Sequence, residues 1–265
     1  MTVLAWEEML RSSFPCASPV NLTIGVFDGL HRGHQRLLAE VTSGEPPGVP
    51  VVVTFLRSPA SIMRPETWPG SVLTHRQKLE RMASRGIQGV VVIDFSNEMS
   101  NLSGEEFVRL LRESLTIQRI VVGQNFRFGK KRASGTDDLR DMLSGTGIQL
   151  VETAAVLQGG GTVSSSRVRA AIACGDLDQA LDLLGSPHTV DVRDVPVHDD
   201  GGPAGHVRYS RADIEQVLPP AGEYAVTWEG AAGSARGTCR VQGDWLTLQA
   251  APVATEHRAA AITFA

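Results

Sequence analysis

The chain has 265 residues, 42% of them hydrophobic and 20% charged, and a formal net charge of −4, a balance typical of a globular enzyme that gives no electrostatic reason to expect a nucleic-acid partner. No apolar run is long enough to span a membrane and the first residues do not resemble a secretory signal, so we expect a cytoplasmic protein without a membrane partner. The three cysteines, Cys16, Cys174 and Cys239, lack CxxC spacing, which argues against a disulfide framework and a structural zinc site.

Short β-rich apolar runs alternate with segments of helical period as far as Gly185. The predicted strands are NLTIGVF, VPVVVTF, VVVIDF, RIVVG and IQLVETA, and the predicted helices among them are HQRLLAEV, HRQKLERMAS, GEEFVRLLRESL and DDLRDMLSG. Because parallel strands need a long return connection, this alternation predicts an α/β domain with a doubly wound, Rossmann-like parallel sheet. Two further helices, SSRVRAAIACG and LDQALDLLG, are expected to end at Gly175 and Gly185.

The character of the sequence changes after Pro187. Turn-forming residues are common in HTVDVRDVPVHDDGGPAGHV, and the later runs EYAVTWEG, SARGTCRVQ and DWLTLQA alternate as antiparallel strands do. We therefore predict two domains, an α/β domain over residues 1–186 and a small antiparallel β domain over residues 187–265.

The stretch TIGVFDGLHRGH follows the predicted strand NLTIGVF and leads into the next helix. In an open α/β sheet, ligands bind beyond the carboxyl ends of the strands, where this turn lies. Gly25, Gly29 and Gly33 are expected to allow tight turning and close approach of the backbone to a ligand. His34 is expected to open the helix, whose first amides favour anions. His31 and His34 can then both point at one phosphate and meet the charge that develops during phosphoryl transfer.

Three other interpretations of this stretch agree less well with its residues. A metal site is disfavoured because only Asp28 stands nearby as a third ligand and no HExxH pattern is present. A dinucleotide fingerprint or a P-loop is disfavoured because GxGxxG and the Walker A lysine are both missing. A purely structural turn does not explain two histidines and three glycines within twelve residues.

Five motifs carry a family resemblance. GVFDGLHRGH resembles the GxFDGxHxGH signature of bacterial FAD synthetases, the nucleotidyltransferases that adenylylate FMN. VVVTF with Pro59 is similar to the family's TFxPxP, and LTHRQKLERM to its LTTxxEKxxLL helix. VVGQNFRFGKKRASGT is similar to VVGxDFRFGxxRxG, and VSSSRVRAAIACGDLDQALDLLG to ISSTxIRxxLxxGxxxxAxxLLG. The resemblance implies transfer of the adenylyl group of ATP to FMN with loss of pyrophosphate.

The resemblance also implies a set of site residues. The catalytic residues are His31, His34 and Arg169. The ATP-binding residues are Gly25, Phe27, Asp28, Gly29, Gly33, Ser164, Ser165 and Arg169. The residues that bind FMN or another acceptor are Thr54, Arg57, Asn125, Phe126, Arg127 and Phe128. Mg²⁺ is expected to accompany ATP and to bridge its phosphates, without direct ligation by the protein.

Two of these groups have a physical rationale and a structural alternative. Serine hydroxyls and amides at a helix start bind phosphate oxygens, as does an arginine fork, but the serines could be ordinary N-caps. Arg169 is preferred to Arg167 because the last arginine of the motif falls there. The flat rings of Phe126 and Phe128 suit an isoalloxazine, but both could be core residues.

The chain departs from the family pattern at two places. Where the family usually has TFDPHP, Leu56 and Ser58 replace the polar residue and the histidine. Two explanations are open. Another polar residue, for example Arg57, makes the interaction that the missing side chain makes in the family, or the enzyme adenylylates a phosphorylated small molecule other than FMN.

The second departure lies in the C-terminal domain. Family members usually carry a riboflavin kinase barrel with a GxPTAN motif, but the corresponding stretch here, DDGGPAGHVRYSRADIEQVLPPAGEYAV, lacks PTAN. The remaining chain also looks too short for a six-stranded barrel, so we expect a degenerate β module without kinase activity. A non-catalytic flavin- or nucleotide-binding protein is a further alternative. The sequence indicates no oligomeric state.

Overall fold

The computed structural model describes residues 1–16, 18–95, 97–198, 206–230, 233–250 and 259–265. The chain forms two compact units. The first unit comprises Met1–Glu66 and Lys78–Thr162, and the second unit comprises Thr67–Gln77 and Val163–Ala265. The predicted boundary between residues 186 and 187 was drawn from the character of the sequence, and it stays a prediction.

The first unit is built on a parallel sheet of six strands among its described residues. The strands are β1 (Thr2–Ala5), β2 (Val20–Ile24), β3 (Val49–Phe55), β4 (Gly89–Ile93), β5 (Ile117–Gly123) and β6 (Gln149–Thr153), in the order β1-β4-β3-β2-β5-β6. In the central register, Leu22 lies opposite Val51 on one side and Ile120 on the other. All five residues of β2 are buried, as expected for a strand at the centre of an α/β sheet.

Among the described residues, seven α-helices lie between these strands in the chain, and the fourth of them begins with three residues of the second unit. They are α1 (Trp6–Ser12), α2 (Arg32–Ser43), α3 (Pro59–Met63), α4 (His75–Ala83), α5 (Asn97–Asn101), α6 (Gly104–Ser114) and α7 (Thr136–Leu143). A short hairpin of β7 (Leu157–Gln158) and β8 (Gly161–Thr162) ends the first unit. The predicted Rossmann-like α/β class is therefore confirmed.

The strand order places a topological switch point beside β2. The chain proceeds from β2 to β3 on one side, and β5 lies against the other side. Helices leaving two neighbouring strands on opposite sides open a crevice at their carboxyl ends, which is where open α/β sheets bind ligands. The TIGVFDGLHRGH stretch leaves β2 at this position.

A buried arginine ties α2 to the sheet. Arg119 in β5 is 6% exposed, and its Nη1 donates to the backbone carbonyl of Glu40 over 2.8 Å. Its Nη2 also lies 3.2 Å from the Glu40 carboxylate. Because Glu40 lies in the last turns of α2, the guanidinium binds the negative end of the helix dipole.

The second unit contains two helices and an antiparallel sheet. Helix α8 spans Ser165–Cys174 and α9 spans Leu177–Leu184. They end at Gly175 and Gly185, whose φ angles of 84° and 75° lie in the left-handed region that glycine adopts without strain. Both helix ends agree with the sequence prediction.

The described part of the second unit forms a seven-stranded antiparallel sheet. Its strands are β9 (Thr189–Asp191), β10 (Val197–His198), β11 (His206–Ser210), β12 (Gly222–Gly230), β13 (Gly233–Gln242), β14 (Trp245–Ala250) and β15 (Ala259–Phe264), in the order β10-β11-β14-β13-β12-β15-β9. A second core packs on it, with Tyr209, Trp228 and Phe264 among its largest buried side chains.

The expectation that the remaining chain is too short for a six-stranded barrel of normal length stays a prediction, because the described strands run in order from β10 to β9 and these two end strands are not paired with each other. Seven strands fit because several are very short and because tight turns join them, as between Gln242 and Trp245, where Gly243 has a φ of 55°. Residues 199–205, which include the GGPA stretch compared with the kinase motif, lie outside the described residues.

Candidate active site

Three loops of the first unit leave the carboxyl ends of neighbouring strands β3, β2 and β5. Residues 25–31 follow β2, residues 56–58 follow β3, and residues 124–135 follow β5. Because these strands are parallel, the three loops meet at one edge of the sheet, around the switch point. These loops carry most of the site residues that the sequence predicted in this unit, and the others lie next to them, Gly33 and His34 in α2 and Thr54 in β3.

The corner after β2 is made by unusual backbone conformations. Gly25 donates its amide to the carbonyl of Val53 over 3.0 Å, which continues the sheet by one bond. Phe27, Gly29 and Leu30 then have positive φ angles of 54°, 89° and 44°. Residues other than glycine adopt a positive φ only at a cost in free energy. Such conformations persist where the surrounding structure fixes them, often at functional sites.

The glycines play different roles from those the sequence predicted. Only Gly29 uses the left-handed conformation. Gly33 lies in the first turn of α2, and at Gly25 a Cβ would lie 3.1 Å from the Phe27 ring. The tight turn is therefore made by Phe27 and Leu30 together with Gly29, since all three have a positive φ. Phe27 and Leu30 are 0% and 1% exposed, and the core fixes their conformation.

His31 and His34 form a stacked pair at the start of α2. Their ring centroids lie 3.6 Å apart with an interplanar angle of 16°. His31 is the N-cap, and its Nδ1 accepts the amide of His34 over 3.3 Å. The helix thus begins at Arg32 and His34 is its third residue. The sequence prediction that His34 is the first residue of the helix was wrong by two positions. Because Nδ1 of His31 is an acceptor, a neutral His31 carries its proton on Nε2.

His34 is held in an environment that favours the neutral ring. The Phe27 ring lies 5.0 Å from it between centroids. Burial lowers the pKa of His34 well below 6.5, and it is lowered further by His31 whenever that ring is protonated and by the positive charge of Lys78. The Nδ1 atom of His34 is buried and has no hydrogen-bond partner among the described residues. A buried polar atom without a partner costs free energy, so it is a natural position for a ligand contact.

The lowered pKa of His34 predicts a pH dependence of stability. In the unfolded chain the imidazole binds a proton below its ordinary pKa of 6.5, whereas the folded protein binds that proton only at much lower pH. The unfolded state therefore gains protons first as the pH falls, and the free energy of unfolding should drop below pH 6.5 by up to about 1.4 kcal/mol per pH unit. Denaturant unfolding at several pH values measures this slope.

His34→Gln is the matched variant for this measurement, because glutamine keeps a polar side chain but does not titrate. We expect a smaller loss of unfolding free energy between pH 6.5 and 5.5 in His34→Gln than in the unmodified chain. Equal slopes in the two proteins would contradict the neutral, buried state of His34.

Lys78 is a buried charged residue beside the histidine pair that the sequence did not indicate as a candidate. It is 6% exposed, and its Nζ donates to the carbonyl of Phe55 at the end of β3. A lysine this buried is rare and is usually paired or functional. The signal available in the sequence was its place inside the quoted LTHRQKLERM motif.

The predicted acceptor residues after β3 divide into structural and exposed ones. Thr54 is fully buried, and its hydroxyl donates to the carbonyl of Val26 over 3.0 Å, which ties β3 to the corner after β2. Arg57 is exposed at the same edge, and Leu56 beside it is 37% exposed. The loop therefore presents one charged and one apolar side chain.

The loop after β5 contains a stack of aromatic rings. Phe126 and Phe128 lie 5.2 Å apart between centroids with an interplanar angle of 15°, and Phe128 contacts Phe107 at 6.2 Å. Phe128 is 7% exposed and belongs to the hydrophobic core, the alternative that the sequence left open. Phe126 is half-buried, while Asn125 and Arg127 are exposed.

The predicted phosphate residues of the second unit lie at the start of α8. Ser164 is the N-cap, and its hydroxyl accepts the amide of Arg167 over 3.3 Å, as an ordinary cap does. Ser165 is the first residue of the helix. The guanidinium carbon of Arg169 lies 4.5 Å from the ring centroid of Trp68. The predicted site residues thus fall on both units, the histidines on the first and this helix start on the second.

The described residues show neither a cluster of metal ligands nor a helix that could span a membrane. No three histidine, cysteine, aspartate or glutamate side chains in the described ranges cluster closely enough to hold a metal ion. In the same ranges, every helix is too short or too polar to cross a bilayer.

Comparison with known proteins adds to this geometry. The family model described as FAD synthetase matches residues 14–167. A bifunctional riboflavin kinase/FMN adenylyltransferase of Pseudomonas fluorescens is 37% identical over 171 residues, which cover 63% of this chain and 55% of that protein. A protein of the same name from Escherichia coli (strain K12) is 33% identical over 214 residues, covering 77% and 66%. The chain therefore spans less than two thirds of the length of these two relatives.

A shorter relative and a solved structure extend the comparison. A protein named FAD synthetase from Listeria monocytogenes is 32% identical over 168 residues, covering 63% of this chain and 68% of that one. The crystal structure of a protein titled macrolide-efflux protein from Streptococcus pneumoniae superposes with a TM-score of 0.82 at 21% identity, covering 100% of this chain and 89% of the other. At that identity, the likeness concerns the fold alone.

Proposed function

Because this chain belongs to the FAD synthetase family, we propose that it transfers the adenylyl group of ATP to FMN. A phosphate oxygen of FMN attacks the α-phosphorus of ATP, the bond from that phosphorus to the oxygen bridging to the β-phosphate breaks, and pyrophosphate leaves as FAD forms. The observation that carries this proposal is the stacked imidazole pair at the switch point, with a buried nitrogen of His34 that lacks a partner among the described residues.

In this proposal the two histidines act as hydrogen-bond donors to the α-phosphate. Charge builds up on the phosphoryl oxygens in the transition state, and fixed donors in a water-poor site stabilise it without reorganisation. His31 is fixed by its own bond to the helix amide, and His34 by the rings on either side of it. Burial is the main cause that lowers the pKa of His34, and the positive charge of Lys78 adds a smaller effect in the same direction.

The start of α8 is proposed to hold the leaving pyrophosphate. Ser164, Ser165 and Arg169 offer hydroxyls, helix amides and a guanidinium, the donors that suit a polyphosphate. Mg²⁺ prefers oxygen ligands and usually keeps waters and substrate phosphates around it. It is proposed to be held by the ATP phosphates, without direct ligation by the protein; Asp28, 6% exposed at the corner after β2, is a carboxylate of the same corner.

The acceptor is proposed to bind along the loops after β3 and β5. Phe126 has an exposed part suited to a flavin ring, and Arg57, Asn125 and Arg127 offer polar groups at the same edge. Gly25, Phe27, Gly29 and Gly33 shape the corner that approaches ATP. Thr54 and Phe128 are proposed to hold the loops of this site in place rather than to contact the acceptor. The hydroxyl of Thr54 donates to the carbonyl of Val26, and Phe128 lies in the core.

A second candidate keeps the reaction but changes the acceptor. Leu56 is exposed where the family usually has a polar residue, and an apolar side chain cannot bind a phosphate, a ribose or the water shell of magnesium. Another phosphorylated small molecule would then replace FMN. The C-terminal sheet is proposed to lack riboflavin kinase activity, because the sequence has no PTAN element.

Incubation of the purified chain with FMN and MgATP is expected to yield FAD and pyrophosphate, detected by mass spectrometry and by a pyrophosphatase-coupled assay. The parallel incubation with riboflavin and MgATP is expected to yield no FMN. A panel of other phosphorylated cofactors under the same conditions separates the candidates, since a low rank of FMN in that panel would favour the second one. FMN formed from riboflavin would overturn the proposed loss of the kinase activity.

A further inference from the structure

Arg169 is stacked on a tryptophan that belongs to no motif of the sequence analysis. Its guanidinium carbon lies 4.5 Å from the ring centroid of Trp68, within the range of a cation–π contact. Nη2 of Arg169 also lies 3.4 Å from the hydroxyl of Ser166. Stacking uses the face of the guanidinium, whereas phosphate recognition uses the N–H groups in its plane. The two contacts are therefore compatible.

Trp68 lies on a segment of the second unit that comes from the middle of the chain. Thr67–Gln77, called the strap below, groups with Val163–Ala265. Ser71 donates its amide to the carbonyl of Glu215 over 2.9 Å, and the amide of Val217 donates to the carbonyl of Ser71 over 2.9 Å. At Gly70, with φ of 108°, a Cβ would lie 2.6 Å from the nitrogen of Val217, so only glycine allows this approach.

Buried polar side chains continue this attachment. Gln216 is 3% exposed, and its Nε2 donates to the carbonyl of Val72 over 2.8 Å and to that of Thr189 over 3.0 Å. The hydroxyl of Thr74 donates to the carboxylate of Asp191 over 3.2 Å. Strap and sheet are thus joined by backbone and side-chain bonds that fix the position of Trp68.

We propose that Trp68 is a positioning residue, whose indole face orients the guanidinium of Arg169 toward the polyphosphate of ATP. This inference rests on the proposed function of Arg169 and adds a residue to it. An arginine side chain loses much rotamer freedom when it binds, and a stack that already restricts it lowers that cost. The strap also gives the C-terminal sheet a role in the adenylyl-transfer reaction, independent of any kinase activity.

Trp68→Leu tests the proposal, with binding of pyrophosphate measured by titration calorimetry, a readout that needs neither FMN nor turnover. We expect the Kd for pyrophosphate and the KM for ATP to rise by about five- to tenfold, because the guanidinium must then be ordered when the ligand binds, while the KM for FMN stays unchanged. Trp68→Phe keeps an aromatic face and should restore most of the affinity.

Trp245→Leu is the matched control. It removes a second tryptophan–arginine stack of the same unit, in which the guanidinium carbon of Arg208 lies 4.3 Å from the ring centroid. Its pyrophosphate affinity is expected to equal that of the unmodified chain. Equal affinities of Trp68→Leu and the unmodified chain would overturn the positioning role and leave the proposed function intact.

A double-mutant cycle separates positioning from direct contact. In an Arg169→Ala background, Trp68→Leu should have no further effect, because the two residues act through one contact. A full additional loss would mean that Trp68 binds the nucleotide itself, and it would overturn the proposal. Absence of pyrophosphate and ATP binding by the unmodified chain would overturn the function of Arg169 and the positioning role together.

Discussion

Replacing His31 with asparagine is expected to lower kcat for FAD formation by at least about a hundredfold with little change in stability. Removal of one fixed donor from a developing oxyanion costs about two to three orders of magnitude in rate, because that donor acts mainly in the transition state. Asparagine is a good N-cap whose side-chain oxygen can accept the amide of His34, so it replaces the structural bond of His31 without its imidazole. Steady-state kinetics and thermal unfolding measure the two effects separately.

The comparison with His31→Ala makes this experiment specific. Alanine cannot cap the helix, so that variant should lose the same activity and, in addition, about 1 kcal/mol of stability. His206→Ala, at an exposed position of β11, controls for loss of an imidazole elsewhere. If His31→Asn kept most of the turnover, the histidine would be only a helix cap and the proposed mechanism would be wrong.

The class of the first sheet, a parallel sheet with crossover helices, could be predicted because its signals are local, but the order of its strands could not. Runs such as VPVVVTF are apolar on both faces, and only a covered parallel sheet hides both. Strand β1 was missed because TVLA is four residues long and mostly exposed, so that only its pairing with β4 identifies it. In the C-terminal sheet, the same limit applies to two- and three-residue strands such as β10 and β9, which have no period to detect.

The candidate site was predictable in its residue types but not in its geometry. The HxGH spacing indicated a histidine pair, yet no rule of sequence indicates that the pair stacks or that His31 caps the helix. Phe27 and Leu30 adopt conformations that sequence reasoning reserves for glycine, because burial in the core outweighs their local preference. Lys78 is brought to His34 by tertiary packing, which spacing along the chain does not encode.

The site depends on how firmly its helix is held at the other end. Helix α2 begins at the histidine corner and ends at Gly44, where Arg119 binds the carbonyl and carboxylate of Glu40. The N-terminal end of the helix is thus fixed by the cap at His31, and the C-terminal end by a buried guanidinium. A disturbance at Gly44 should therefore affect the fold of the first unit rather than the chemistry.

Gly44→Ala is expected to lower the free energy of unfolding of the first unit by about 3 kcal/mol, equivalent to a fall in Tm of about 10 °C. A Cβ at Gly44 would lie 1.1 Å from Nη1 of Arg119 and 2.6 Å from the carbonyl oxygen of Glu40, so the buried guanidinium must leave its partners. The φ of Gly44 is −76°, which alanine adopts freely, so the loss comes from the collision and not from backbone strain. Calorimetry or thermal unfolding by circular dichroism measures it.

Gly123→Ala is the matched control, since a Cβ there meets nothing within 4 Å and its Tm should change by no more than about 2 °C. At a temperature where both variants are folded, Gly44→Ala should keep the kcat of the unmodified chain. This pattern is the reverse of that expected for His31→Asn, which keeps stability and loses turnover. A Gly44→Ala protein as stable as Gly123→Ala would show that Arg119 can rearrange at little cost, and that α2 is held at the sheet by its apolar face alone.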